Sequence, residues 1–132
     1  MGTRSTIALE YADGTVEQVY CHWDGYVEHN GKILVEHYMD PFKVQQLVML
    51  GGFSSLCATV EETAKTAYTR RGDDLTIESF GDVISYENGV QLEEFNYILR
   101  RDGKWYMAIE DGIYTNLAAY MAFVSIKDKD LL

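Results

Sequence analysis

Apolar side chains fall at every second position near the start of the chain. In residues 4–11, Ile7, Leu9 and Tyr11 share one face of a predicted strand, and residues 15–22 form a second. Asp13-Gly14 lies between them. An Asp-Gly pair between β-rich runs signals a hairpin, because a type I′ turn needs positive φ at both central residues. A two-residue loop sets Tyr11 opposite Val16, Ile7 opposite Tyr20 and Arg4 opposite Trp23. It also sets Glu10 against Glu17, a like-charge pair that argues for a different register.

After Asp24-Gly25 the period changes. Val27, Gly31, Leu34 and Tyr38 fall on one helical stripe, and Met39 ends the element. Glycine on that stripe costs about 1 kcal/mol against alanine, which close approach of helix to sheet would offset. Asp40 is placed to cap a second helix, with Pro41 at the first position, where a missing N–H leaves nothing unpaired. Residues 42–50 continue it, Gly51-Gly52 stops it, and residues 53–56 form a tight loop that returns Leu56 to the core.

Residues 57–90 carry mixed periods. Residues 61–67 suit a helix and 63–69 a strand; 70–74 read as a charged turn, 75–80 as a strand, 82–86 as a short helix or strand, and Asn88-Gly89 as a turn. A second hairpin is predicted about Asp102-Gly103, with Arg100 opposite Trp105 and Ile98 opposite Met107. Asp111-Gly112 turns again, residues 116–124 read as a helix, and the charged end frays from Lys127. Six Asx-Gly pairs, at 13–14, 24–25, 30–31, 88–89, 102–103 and 111–112, with one proline and no repeat, predict a single α+β domain over residues 1–132. Its antiparallel sheet is built from Asx-Gly hairpins and packs against two or three short helices.

Charge changes the functional picture more than the structural one. The net charge is −10 and is spread evenly: residues 1–66 hold four Lys/Arg against nine Asp/Glu, and residues 67–132 seven against twelve. Direct nucleic-acid binding, which needs a basic face to displace counterions, is disfavoured. A basic protein partner fits. Two cysteines, Cys21 and Cys57, make no disulfide framework. No apolar run approaches the roughly 18 residues of a membrane span, so a cytosolic chain without membrane contact is expected.

The seven residues Tyr20 to Tyr26 (Tyr, Cys, His, Trp, Asp, Gly, Tyr) concentrate reactive groups. Cys21 and His22 are neighbours on a strand and face opposite ways, so they share neither a metal ion nor a proton. With no C-x-x-C and no H-E-x-x-H, no metal site is expected. His22 and Asp24 are the one candidate acid–base pair, set against an Asx turn at Asp24. No Walker or G-x-G-x-x-G pattern calls for a nucleotide cofactor, and Gly51-Gly52 follows a helix C-terminus, whose dipole repels anions. Arg70-Arg71 and Arg100-Arg101 with Arg4 would make one positive patch if their turns adjoin, unless Asp73, Asp74 and Asp102 neutralise them. Trp23, Tyr26, Tyr38, Trp105 and Tyr106 are more rings than a small core needs, and such residues dominate binding surfaces.

The stretches Gly2-Thr3-Arg4-Ser5-Thr6-Ile7, Tyr20 to Tyr26, Asn30-Gly31-Lys32-Ile33-Leu34 with His37-Tyr38, and Leu50-Gly51 with Ser54-Ser55-Leu56 resemble a family of small proteins encoded by bacteriophages and prophages. Tyr97 with Asp102-Gly103-Lys104-Trp105-Tyr106 resembles its C-terminal hairpin. Tyr68-Thr69-Arg70-Arg71-Gly72-Asp73 departs from the family's Arg-Asp-Arg-Gly-Glu run. The resemblance implies a phage origin and the cytoplasm of an infected bacterium, and brings no activity with it.

Three readings follow. The first is a binding protein that blocks a bacterial host protein or nucleoprotein complex, as in counter-defence, through an acidic, tyrosine-rich face that includes Trp23, Asp24 and Tyr26. The second sequesters a nucleotide in a pocket of Arg4, His22, Trp23 and the Arg70-Arg71 turn. The third is a small hydrolase using His22 and Asp24. Self-association is compatible with all three.

Overall fold

In a computed structural model, which describes residues 3–89, 93–110 and 112–130, the chain is α+β. Six strands form one sheet: β1 (Ser5–Glu10), β2 (Val16–Cys21), β3 (Glu78–Phe80), β4 (Phe95–Leu99), β5 (Trp105–Glu110) and β6 (Ile113–Asn116), in the order β3-β2-β1-β4-β5-β6. Two antiparallel three-strand halves meet at β1 and β4, which run parallel, with Ile7 beside Tyr97 and Leu9 beside Leu99. Parallel neighbours need a long crossover. Here the chain between β2 and β4 supplies it and carries most of the helices.

Both predicted hairpins form, and both are one residue out of the predicted register for the same reason. Tyr11 N–H donates to Thr15 O at 2.8 Å and Gly14 N–H to Tyr11 O at 2.9 Å, with Gly14 at φ +90°. The second hairpin repeats this, with Arg100 N–H on Lys104 O at 3.1 Å, Gly103 N–H on Arg100 O at 2.9 Å and Gly103 at φ +78°. These are three-residue loops, a type I turn closed by one left-handed glycine. The aspartates favour them: Asp13 accepts from Thr15 N–H at 3.0 Å and Asp102 from Lys104 N–H at 2.9 Å. So Ile7 faces Val19, Glu10 faces Val16 and Leu99 faces Trp105. Glu10 avoids Glu17, and Arg4 no longer opposes Trp23, whose N–H donates to Ser54 O at 2.9 Å.

Among the described residues the α-helices are α1 (Lys32–His37), α2 (Pro41–Val48), α3 (Val60–Ala64), α4 (Val83–Gly89) and α5 (Leu117–Asp130), five where two or three were expected. A wide turn, Val27–Gly31, leads into α1. Asp40 caps α2 by accepting from Phe42 N–H at 2.9 Å, and Gly51, at φ +73°, ends it. Thr59 caps α3, which takes only residues 60–64 of the mixed stretch; Ala67 bridges Phe53, Tyr68–Arg71 make a short 3₁₀ turn, and the predicted 75–80 strand forms as Glu78–Phe80. Asn88-Gly89 closes α4 instead of making a separate turn, because the helix begun at Val83 runs through it. Asn116 ends β6 and caps α5 by accepting from Ala119 N–H at 2.9 Å.

One sheet face carries Ile7, Leu9, Val19, Cys21, Tyr97, Leu99, Trp105 and Met107, buried against Leu34, Val44, Leu47, Val48 and Leu117. Each such side chain contributes about 1.5–3 kcal/mol by leaving water. The other face has a smaller core of Ala8, Val16 and Ile98 under Tyr86 of α4. Tyr38 and Trp105 belong to the main core, where Trp105 Nε1 donates to Tyr38 O at 3.0 Å and Tyr38 hydroxyl to Cys57 O at 2.7 Å. Gly31 lies against Tyr97 and Leu117, so the helix does approach the sheet, though a β-carbon there would meet ordinary contacts, 3.4 Å being the shortest.

Candidate functional site

Strand alternation builds the site. Gln18 and Tyr20 point to one side of β2, and His22 continues that row just past its end, while Val19 and Cys21 point into the main core. His22 Nδ1 lies 2.8 Å from the Tyr20 hydroxyl, and its ring meets Trp23 edge-on at 4.5 Å. Tyr20 stacks on Tyr68 at 6.4 Å with 27° between planes, and the Arg71 guanidinium covers Tyr68 at 4.5 Å. The result is a continuous strip: Trp23, His22, Tyr20, Tyr68, Arg71. Trp23 is 43% exposed, enough to offer its indole to a partner.

The strip sits on a rigid corner. Asp24 is left-handed at φ +57°, and its carbonyl accepts Asn30 N–H at 3.2 Å, so it serves the corner through its backbone. Gly25 N–H donates to Thr3 O at 2.7 Å, and the Tyr97 hydroxyl donates to Gly25 O at 2.6 Å. A β-carbon on Gly25 would lie 2.8 Å from Ser5 Cβ and from Thr3 O, so only glycine fits. From the far side the Phe53–Ser54 segment pins the strip: Phe53 N–H donates to Tyr20 O at 2.9 Å and His22 N–H to Phe53 O at 3.2 Å.

Tyr26 is exposed and packs on His29 at 6.1 Å, beside the strip in sequence. His22 is paired with Tyr20 and not with Asp24, so the proposed acid–base pair does not assemble. Cys21 is buried and receives an N–H of Asn30 at 3.4 Å; burial raises its pKa, which makes it a poor nucleophile. Burial also raises the Tyr20 and Tyr68 phenols, with the Arg4 cation opposing the shift at Tyr20 and Arg71 at Tyr68. His29 bonds Asn30 at 2.9 Å, and among the described residues no three His, Cys, Asp or Glu side chains converge as a metal site would need.

The single arginine patch does not form. Arg100-Arg101 lie beyond the far end of β4, where Arg101 pairs with Glu10 at 3.1 Å and Arg100 with Glu87. Arg4 precedes β1, a six-residue strand, and so stands about 20 Å away at roughly 3.3 Å per residue. Arg71 is neutralised by Asp73 at 2.7 Å, and Arg70 is exposed beside it. The backbone N–H groups of residues 53–55 are already taken, by Tyr20 O, Thr66 O and Thr66 Oγ1, so no anion cradle is present there.

Beside the strip is a cavity of about 220 Å³ that the sequence did not foretell, lined among others by Gln18, Tyr20, Gly52, Tyr68, Thr76 and Glu78. Arg4, His22, Trp23, Arg70 and Arg71 stand outside that lining. Tyr68 was hidden in the stretch of mixed period; the signal within reach was the Gln18, Tyr20, His22 alternation. The chain matches no protein-family model, curated protein or solved structure. Among the described residues no helix is long and apolar enough to cross a membrane.

Proposed function

We propose that this chain is a small acidic binding protein of phage type that blocks a bacterial host protein or nucleoprotein complex, in the cytoplasm of the infected cell. The observation that carries the binding role is the strip from Trp23 to Arg71. Interfaces concentrate their energy in Trp, Tyr and Arg at rigid positions, and here the rings are fixed before a partner arrives. The charge of −10 favours a basic partner surface and speeds encounter with it. The phage origin and host setting rest on the resemblance of residues 2–56.

The test is affinity capture from bacterial lysate with the full chain and with Trp23→Ala. The expected result is one stoichiometric partner, bound at least about thirtyfold more weakly by the variant, since a hot spot is worth roughly 2 kcal/mol or more. Absence of a stoichiometric partner, or equal capture by Trp23→Ala, refutes the proposal.

A further inference from the structure

The two ends of the sheet are built differently. β3 is three residues long and has Asp73, Asp74, Glu78 and Asp82 in or beside it, so its edge is short and charged, which keeps other strands away. β6 forms the other end, and from Ile113 to Ile126, through β6 and most of α5, no residue is charged. Over residues 117–124 apolar side chains circle α5 completely. Leu117 is buried, and Tyr120 and Met121 pack on the main core. The opposite side shows Ala118, Ala119, Ala122 and Phe123 to solvent, with Phe123 61% exposed. By contrast α2 exposes Gln45 and Gln46 between Phe42 and Met49, as a surface helix does. A helix that is apolar all round belongs in a buried position.

We infer that α5 is the docking surface for a second copy of this chain, packed antiparallel on its counterpart across a two-fold axis with the outer edge of β6 alongside. Charge selects this occupant. Two copies at −10 each repel where their acidic faces meet, and on this surface they meet without charges. A basic partner gains nothing from an uncharged helix, and a helix lying on a membrane carries Lys and Arg on a polar face, which residues 117–124 lack. Shape selects it too, because contacts across a two-fold axis are reciprocal. With Ala119 facing Ala122 of the other copy, Phe123 lies against that copy's Ala118, so a ring fills the space beside a methyl group on both sides of the axis. The alanines let the helix axes approach to about 8 Å, the short end of helix packing. A 14-residue helix is about 21 Å long, so the pair with its strand edges buries on the order of 1,000 Å² in total, the lower bound for a specific interface. The dimer is therefore a weak one. β6 lies four strands from β2, about 19 Å across the sheet, so both strips stay uncovered and the inference does not depend on what they bind.

The test is sedimentation velocity of the full chain over a micromolar concentration series. The expected result is a shift from one chain to two as concentration rises, with a midpoint in the micromolar range. Ala122→Glu keeps the helix, since glutamate is a helix former close to alanine, and should weaken the dimer at least about thirtyfold by burying carboxylates at the contact. Ala119→Lys should weaken it as well. Mixed in equal amounts, the two variants should pair with each other more tightly than either does with itself, a rescue that general loss of stability would not produce. Phe42→Glu, at a 76% exposed site on α2, and Trp23→Ala should dimerise as the parent does. A monomer at every concentration, a dimer that Ala122→Glu leaves intact, absence of rescue in the mixture, or equal loss in Phe42→Glu overturns the inference. So does flotation of the chain with phosphatidylcholine vesicles, or a lysate partner lost in Ala122→Glu while the free chain stays a monomer. A dimer with no lysate partner supports the inference and refutes the host-protein reading. A partner captured by a chain that stays a monomer refutes the dimer alone.

Discussion

Gly25→Ala tests whether the aromatic corner is rigid for the reason given. The added β-carbon would lie 2.8 Å from Ser5 Cβ, 2.8 Å from Thr3 O and 2.9 Å from Arg4 O. Two of these are backbone atoms at the entry to β1, which is held on both sides by β2 and β4, so no flexible side chain can swing away. Overpacking of this kind costs about 1–3 kcal/mol. Moving the corner also disturbs the Gly25–Thr3 and Tyr97–Gly25 hydrogen bonds, each worth about 1 kcal/mol. The expected loss is about 3 kcal/mol, a large part of the stability of a domain this size. Urea unfolding followed by tryptophan fluorescence should show a lower midpoint with an unchanged slope. Tyr97→Phe, which removes one of the two bonds without the clash, should cost about 1–2 kcal/mol. If Gly25→Ala stays within about 0.5 kcal/mol of the parent, the range of a neutral surface change, the corner is not packed as described.

Asp102 is held below the ordinary carboxylate range, chiefly by the Tyr106 hydroxyl. A depressed folded-state pKa adds stability above the unfolded value, and that stability is lost as pH falls through the folded one. Asp102→Asn should therefore cost more at pH 6 than at pH 2 in paired urea titrations; an equal cost at both would refute this. Cys21 is buried and Cys57 half-buried, so alkylation of the native protein followed by peptide mass analysis should modify Cys57 first and Cys21 only on unfolding. Leu34→Ala, in the core, should cost about 2–5 kcal/mol, whereas Phe42→Ala, at a 76% exposed site, should stay within about 0.5 kcal/mol, as thermal melts would show.

The elements with local causes were legible. Asp40 and Pro41 announce the start of α2, Gly51 its end, and each Asp-Gly pair near residues 13 and 102 its hairpin. The register slipped because Asp-Gly suits both a two-residue loop and a three-residue loop with one left-handed glycine. What separates them is the bond from the aspartate to the N–H two residues on, and the like-charge clash at Glu10 and Glu17 was the one hint of it. The parallel pairing of β1 with β4 had no local signal, since partners some 90 residues apart meet only through the packed core.

The same distinction explains the site. Trp23, His22 and Tyr26 could be picked out because they crowd one short stretch, but their roles came from residues far along the chain. Phe53 and Ser54 hold β2 where β3 leaves it, Tyr68 extends the ring strip, and Glu78 meets Gln18, sixty residues away. Alternation alone placed Cys21 in the core and His22 outside it, which was enough to separate a thiol and an imidazole that look like a pair in print. It said nothing of what stands opposite the outward row. A strand that changes partner leaves an opening at the change, and the side chains beside that opening acquire their chemistry from both partners at once. For this chain Gln18, Tyr20, Tyr68 and Glu78 stand beside that opening, brought together from separate stretches, so its make-up follows from the topology of the sheet edge as much as from the residues that advertise themselves in the sequence.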